Sequence, residues 1–315
     1  MIERQSASPV APHLGANLEQ LLKAVPGYNQ AAQQVSVAIH NVVLGGGEAT
    51  RTLADLLHGT WLGHSLHAVL VQIPVGSWSA AALFDLIAVA SGSRNAAWAA
   101  DALITLGVVG AVPAAITGIA DYSAIREDAA AEAGLHGMLN GAALSLFLLS
   151  LAARRGDKRG LGVLLSLTAT ALSGGSAWIG GDMVFRRRVG VNFNEEPGHG
   201  EGWIAVLSDS ELAEGEARRV LISDDAVMVY RDVERVYAIG AFCSHAGGPL
   251  EDGTISGHCV ECPWHHSVFD MRDGSVVHGP ATTPQARYET RRANGQIEVR
   301  LLKPGPSERQ SASSA

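Results

Sequence analysis

Aromatic residues make up 5% of this 315-residue chain, charged residues 17%, and cysteine occurs three times. Each shortage excludes something. Three cysteines, all between positions 243 and 262, cannot build the disulfide framework of a small secreted domain; two of them stand in register with histidines and read as metal ligands. The few basic residues are mostly Arg in small clusters, and the formal net charge is −8, so no extended basic face suits a phosphate backbone and nucleic acid is not expected as a partner. The first thirty residues lack a cationic start followed by a short apolar core, so no cleavable signal peptide is expected and insertion falls to internal segments. What the chain has in quantity is apolar residues, 47% of the total.

The apolar residues are concentrated in four stretches, 67–90, 97–120, 134–153 and 161–181, each near the roughly 20 residues needed to cross a hydrocarbon core. Pro74 and Pro113 lie inside two of them, which membrane helices tolerate where neighbours re-satisfy the backbone. Small residues recur every fourth position, as in Gly107/Ala111/Ala115 and Gly137/Gly141, a spacing for close helix packing. The expected fold is an all-α four-helix transmembrane bundle over 64–191, followed by an all-β domain over 202–303. The segment 1–63 is expected to be a polar N-terminus with amphipathic helices beside or on the membrane, Leu53, Leu56 and Leu57 after Thr52 marking one of them. Residues 192–201 form a polar linker, so the β-domain need not be docked rigidly, and the Pro/Ser-rich tail 304–315 is expected to be disordered. Within the β-domain, alternating runs predict strands at 203–207, 218–222, 227–231, 235–241, 267–270, 286–290 and 296–301, broken by turn signals at Asp252-Gly253, Asp273-Gly274 and Asn294-Gly295.

The chemistry sits in Cys243-Ser-His245-Ala-Gly-Gly-Pro-Leu250 and, after sixteen residues between the inner pair His245 and Cys262, in Cys262-Pro263-Trp-His265-His-Ser267-Val-Phe269-Asp270. Two Cys-x-His-type pairs on separate loops can supply two thiolates to one metal and two imidazoles to another; a Cys2His2 zinc site is the alternative. The pattern resembles the Rieske family, over about 202–302. That resemblance implies a 2Fe-2S cluster with Cys243 and Cys262 on one iron and His245 and His265 on the other, and a higher potential than an all-cysteine cluster has. It places Pro263, Ser267 and Phe269 around the cluster. Ser267 matches a hydroxyl that tunes potential in respiratory members, whereas Phe269 stands where they have Tyr, so a lower potential is expected. Respiratory members also have an extra disulfide-forming cysteine in each loop; this chain has Gly248 and Trp264 there and resembles the ferredoxin and oxygenase-component branch. Cys259 is expected to be a small buried strand residue, and His258, His266 and His278 loop or surface residues.

Residues 64–191, opening on Gly63-His64-Ser-Leu-His67 and running to Gly180-Gly-Asp-Met-Val-Phe-Arg and Val189-Gly-Val191, resemble an uncharacterised family of bacterial four-helix membrane proteins, which supplies architecture and no chemistry. Chain parity places His64, His67, Asp121, His136 and Asp182 at one end of the bundle. His64, His67 and His136 are therefore candidates for a haem or quinone site, against the alternative that they cap helices. Asp85 and Asp101 lie deeper, where a structural polar bond is favoured over a proton relay. Basic residues divide five against five between the two faces, so charge does not orient the bundle; Arg154-Arg155 could be a twin-arginine export signal. The disulfide-free motif and polar N-terminus favour a cytoplasmic β-domain on a multi-pass cell-membrane protein. The expected function is a membrane-anchored carrier passing single electrons to or from a partner protein or quinone, with lipid around its bundle. The rivals are a membrane quinol oxidoreductase and a zinc-bound interaction module. A terminal oxygenase is disfavoured, since no further domain remains for a mononuclear iron.

Overall fold

The computed structural model describes residues 14–194, 202–233 and 235–302; residues 1–12, most of the linker and the tail 304–315 lie outside them. The chain divides into two compact units: one runs to Asn41 and resumes over Ala68–Val189, and the other combines Val42–His67 with the residues from Gly190 onward.

The first unit contains α1 (Leu14–Ala24), most of α2 (Tyr28–Gly45), α5 (Gln72–Ser91), α6 (Arg94–Ser123), α7 (Ala130–Arg155) and α8 (Arg159–Phe185), while α3 (Glu48–His58) belongs to the second unit and α4 (Leu66–Leu70) leads into α5. Among the described residues four helical segments are long and apolar enough to cross a membrane: Leu66–Ser91, Arg94–Ser123, Glu127–Arg155 and Arg159–Phe185. Their core is thin and built from small residues. Trp78 stacks on Phe147 with centroids 4.2 Å apart, and a Cβ on Gly107 would fall 2.2 Å from the Trp78 indole nitrogen. Glycine on α6 is what admits the indole. Leu83, Leu86, Val89, Val109, Leu148 and Leu164 point outward and exposed, as lipid-facing side chains do.

Charge inside this unit is paired. Arg154 donates to both oxygens of Asp85, at 2.8 and 2.5 Å, and to Asp101 at 2.7 Å. Ser166 also donates to Asp85, and Arg159 also donates to Asp101. Arg154 is thus sequestered as a structural partner, which is at odds with its belonging to an export signal. Asp85 and Asp101 make the structural polar bonds favoured above. A second network ties Arg186 and Arg187 to Glu132, with Arg186 also on Asp182. Glu19 of α1 joins both arginines. The Tyr28 hydroxyl donates to the Ala131 carbonyl and the Tyr122 hydroxyl to that of Ala32, so α1 and α2 are fastened to the bundle through polar bonds.

Among the described residues the second unit has ten strands: β1 (Ile204–Ser208), β2 (Ala217–Ile222), β3 (Asp225–Asp232), β4 (Arg235–Gly240), β5 (Thr254–Ser256), β6 (Cys259–Glu261), β7 (Val268–Asp270), β8 (Val276–His278), β9 (Arg287–Ala293) and β10 (Gln296–Leu302). A six-stranded sheet has the order β1-β10-β9-β4-β3-β2 and a four-stranded sheet the order β5-β6-β7-β8, with antiparallel pairing throughout. Alternation decides which side chains turn inward: on β10, Ile297, Val299 and Leu301 are buried and their neighbours are not. They join Val227, Val229 and Ala238 in one apolar cluster. A second cluster holds Met228, Ile239, Leu250, Val260 and Phe269 together with Cys243 and Cys262, so the two thiols grow directly out of a packed core.

Candidate metal centre

Two loops carry the centre, each closed on its own cysteine. After β4, the Gly247 N–H donates to the Cys243 carbonyl and the Cys243 N–H to that of Gly248, both at 2.8 Å. Between β6 and β7, the Cys262 N–H donates to Ser267 at 2.8 Å and the His266 N–H to Cys262 at 3.2 Å. Glycine is required where the loops meet. Gly247 has φ +78°, and a Cβ on Gly248 would lie 2.8 Å from the Cys262 sulfur and 3.1 Å from the Trp264 ring.

These loops bring the four motif residues together. Cys243 and Cys262 are each 1% exposed, and their sulfurs lie within hydrogen-bond reach of one another. The His245 and His265 rings meet edge to face with centroids 5.0 Å apart. Thiols pair with thiols and imidazoles with imidazoles, the division a two-iron centre needs. All three cysteines are free thiols.

Donors are already aimed at the sulfurs. The His245 N–H and the Ser267 hydroxyl point at Cys243, and the Trp264 and His265 N–H groups at Cys262. The hydrogen bond from Cys243, opposed by burial and helped by those amides, brings the Cys262 thiol down to about 7. Sharing that bond, together with burial, drives Cys243 well above the ordinary thiol range. Ser267 is fully buried, and its oxygen accepts the Ala281 N–H at 3.0 Å. Phe269 is fully buried in the apolar cluster behind the cysteines, and Pro263 is exposed on the second loop.

Several contacts around the centre were not foreseen. His278, expected on a loop or the surface, ends β8 and is half-buried; its Nδ1 lies 2.8 Å from a carboxylate oxygen of Asp55, whose other oxygen accepts the Gly279 N–H at 2.7 Å. His266 meets Glu261 at 2.7 Å, and Glu261 also receives Arg51 at 3.2 Å. Both Asp55 and Arg51 come from α3. No local pattern could reveal this, because the partners are more than two hundred residues apart. Cys259 lies on β6 as expected but is only half-buried.

The three candidate membrane histidines are divided between the two units. The Nδ1 of His136 lies 2.8 Å from the Ser176 carbonyl, and its Nε2 lies 3.1 Å from the Asn140 amide. Both ring nitrogens are therefore engaged within the bundle, and an axial haem bond would have to displace one of these contacts. His64 is exposed, with Nδ1 3.3 Å from the Ser65 carbonyl, and His67 is half-buried. These two fall in the other unit.

Residues 202–289 match the family described as the Rieske 2Fe-2S domain, and residues 63–192 the family described as predicted membrane protein (DUF2231). The anthranilate 1,2-dioxygenase ferredoxin subunit of Burkholderia cepacia is 30% identical over 99 residues, covering 31% of this chain and 92% of that protein. The ferredoxin component of the p-cumate 2,3-dioxygenase system of Pseudomonas putida is 35% identical over 98 residues, covering 30% of this chain and 83% of that protein. Among solved structures, the ferredoxin of carbazole 1,9a-dioxygenase from Nocardioides aromaticivorans IC177 is 31% identical, covers 32% of this chain and 98% of its own, and has a TM-score of 0.31.

Proposed function

We propose, because this chain belongs to the Rieske 2Fe-2S family, that it is a membrane-anchored ferredoxin whose cluster is held by Cys243, His245, Cys262 and His265. The observation that carries the assignment is the pairing itself: two buried thiols in contact and two imidazoles edge to face, on loops that close on their own cysteines. When bound, the cluster supplies one-electron chemistry. The protein's part is to hold it and set its potential. The amides of His245, Trp264 and His265 and the hydroxyl of Ser267 stabilise negative charge on sulfur, and the core behind Phe269 keeps water from that side. The half-buried imidazoles leave an edge for exchange with a partner, beside Trp264, which is 50% exposed.

The partner is an oxygenase-type redox protein, as the names of the dioxygenase ferredoxins suggest, and the bundle keeps the carrier at the membrane as a multi-pass anchor. The lack of cysteine pairs suits a cytoplasmic β-domain. A haem or quinone site at His64, His67 and His136 is not part of this reading, since the bonds at both ring nitrogens of His136 give that residue a structural role. Purified protein in detergent, reduced with dithionite and mixed with an oxygenase component of a Rieske dioxygenase, should lose its reduced-cluster EPR signal as the acceptor is reduced. A cluster that forms yet is not reoxidised by any such acceptor would refute the carrier role.

A further inference from the structure

The helix α3 has two unlike sides, and each has an evident use. Its polar side grips the β-domain. Arg51 pairs with Glu261 at 3.2 Å, and Asp55 accepts from the His278 ring and the Gly279 N–H. Ala54 and His58 are buried between these contacts. The approach is close enough that a Cβ on Gly279 would fall 2.9 Å from the Thr60 methyl. The opposite side is apolar and uncovered: Leu53, Leu56 and Trp61 are 54%, 53% and 62% exposed. Leu53 and Leu56 are three apart and share a face, and the Trp61 indole N–H donates to the Leu56 carbonyl at 3.2 Å, holding the ring in line with them. Gly59 and Gly63, with φ of 79° and 81°, bracket the turn that places it. An alanine at 59 would bring its Cβ 2.4 Å from the His64 carbonyl.

What covers that side is indicated by the chain itself. The first membrane-length segment begins at Leu66, so Trp61 precedes it by five residues, a reach of at most about 18 Å fully extended. A tryptophan and two leucines held this close to the start of a span lie where amphipathic rings and interfacial helices settle. We infer that α3 moors the β-domain to the lipid surface, its polar side clasping the loop after β8 and its apolar side lying in the headgroup–acyl boundary. The domain is then held near the bilayer by a second attachment besides the linker. The clasped loop reaches the centre, because its Ala281 N–H bonds to Ser267.

The test uses the full-length protein in phosphatidylcholine–phosphatidylglycerol nanodiscs, with bromine placed high on the acyl chains. Subtracting the emission of Trp61→Phe from that of the wild type isolates Trp61. The expected result is that the bromolipid quenches at least half of this difference and aqueous iodide quenches little of it. Quenching by iodide alone would overturn the inference; so would quenching by neither, which would mean that protein covers this side. Trp78, Trp98 and Trp178, within the spans, report separately on the membrane reading, so loss of their quenching would mark a failure there instead. For the polar side, hydrogen exchange over 276–281 should quicken at least tenfold in Asp55→Ala and by less in Asp55→Asn. Unchanged exchange in Asp55→Ala would overturn the clasp.

Discussion

Removing the Ser267 hydroxyl tests how the protein sets its potential. Ser267 is fully buried, donates to the Cys243 sulfur and accepts the Ala281 N–H at 3.0 Å. A hydrogen bond to a charged group contributes about 1.5–3 kcal/mol. The reduced cluster carries one more negative charge than the oxidised one, so part of that stabilisation is present only after reduction. If a third to a half is differential, Ser267→Ala disfavours reduction by about 0.5–1.5 kcal/mol, from the same range. At about 1.36 kcal/mol per 59 mV for one electron, the potential should fall by roughly 20–65 mV. Ser267→Thr, which keeps the hydroxyl, should fall less. The alanine variant also leaves the Ala281 N–H without its acceptor, at a cost of about 1–3 kcal/mol, so its thermal midpoint should drop as well. A redox titration followed by EPR reads the first effect and a melting curve the second. An unchanged or raised potential in a variant with a full cluster would refute the argument that this hydroxyl stabilises charge on sulfur.

Other perturbations should behave as follows. Gly248→Ala places a Cβ 2.8 Å from the Cys262 sulfur, so iron bound per protein should fall below half of wild type; full occupancy would show that the loops can separate without loss. Arg154→Leu leaves the fully buried Asp85 without its counter-ion, a loss of about 3–5 kcal/mol. It should aggregate on heating in detergent well before Asp101→Asn, whose carboxylate is partly exposed; equal melting would discount the buried pair. Asp209, half-buried and bound by Arg292 and Arg231, is held below the usual carboxylate range by those hydrogen bonds. Its folded pKa is thus below the unfolded value of about 3.9, so its contribution is full above that pH and is lost as pH falls through the folded value. Asp209→Asn should melt below wild type at neutral pH and converge with it in acid, and a gap independent of pH would contradict this.

Much of the architecture was legible because it rests on local signals. The four apolar runs became helices with bounds a few residues wider than expected, since hydropathy marks the lipid-facing middle of a span and not its polar ends. Strands such as β10 showed themselves by alternation. The three-residue strands β5 and β8 were not foreseen, and β6 only at Cys259, since such strands are too short to alternate visibly. The two Cys-and-His pairs that the loops bring together were legible from spacing and from the residues flanking them. The hold of α3 on the β-domain was not. Its leucines mark an amphipathic helix, but which side meets protein depends on Asp55 finding His278 and Gly279 across the chain. The same holds for Arg154, which the sequence offers as part of an export signal until Asp85 is seen beside it.

The central claim is most directly tested by the low-temperature EPR spectrum of the reduced, purified full-length protein, taken beside its ligand variants. The account predicts a rhombic Rieske-type 2Fe-2S signal that is lost on replacing Cys243, His245, Cys262 or His265 by Ala and retained in Cys259→Ala, whose thiol lies on β6 near Asp270, Arg272 and Asp273. A protein that binds zinc and no iron, or a signal that Cys259→Ala abolishes as fully as Cys262→Ala does, would contradict it.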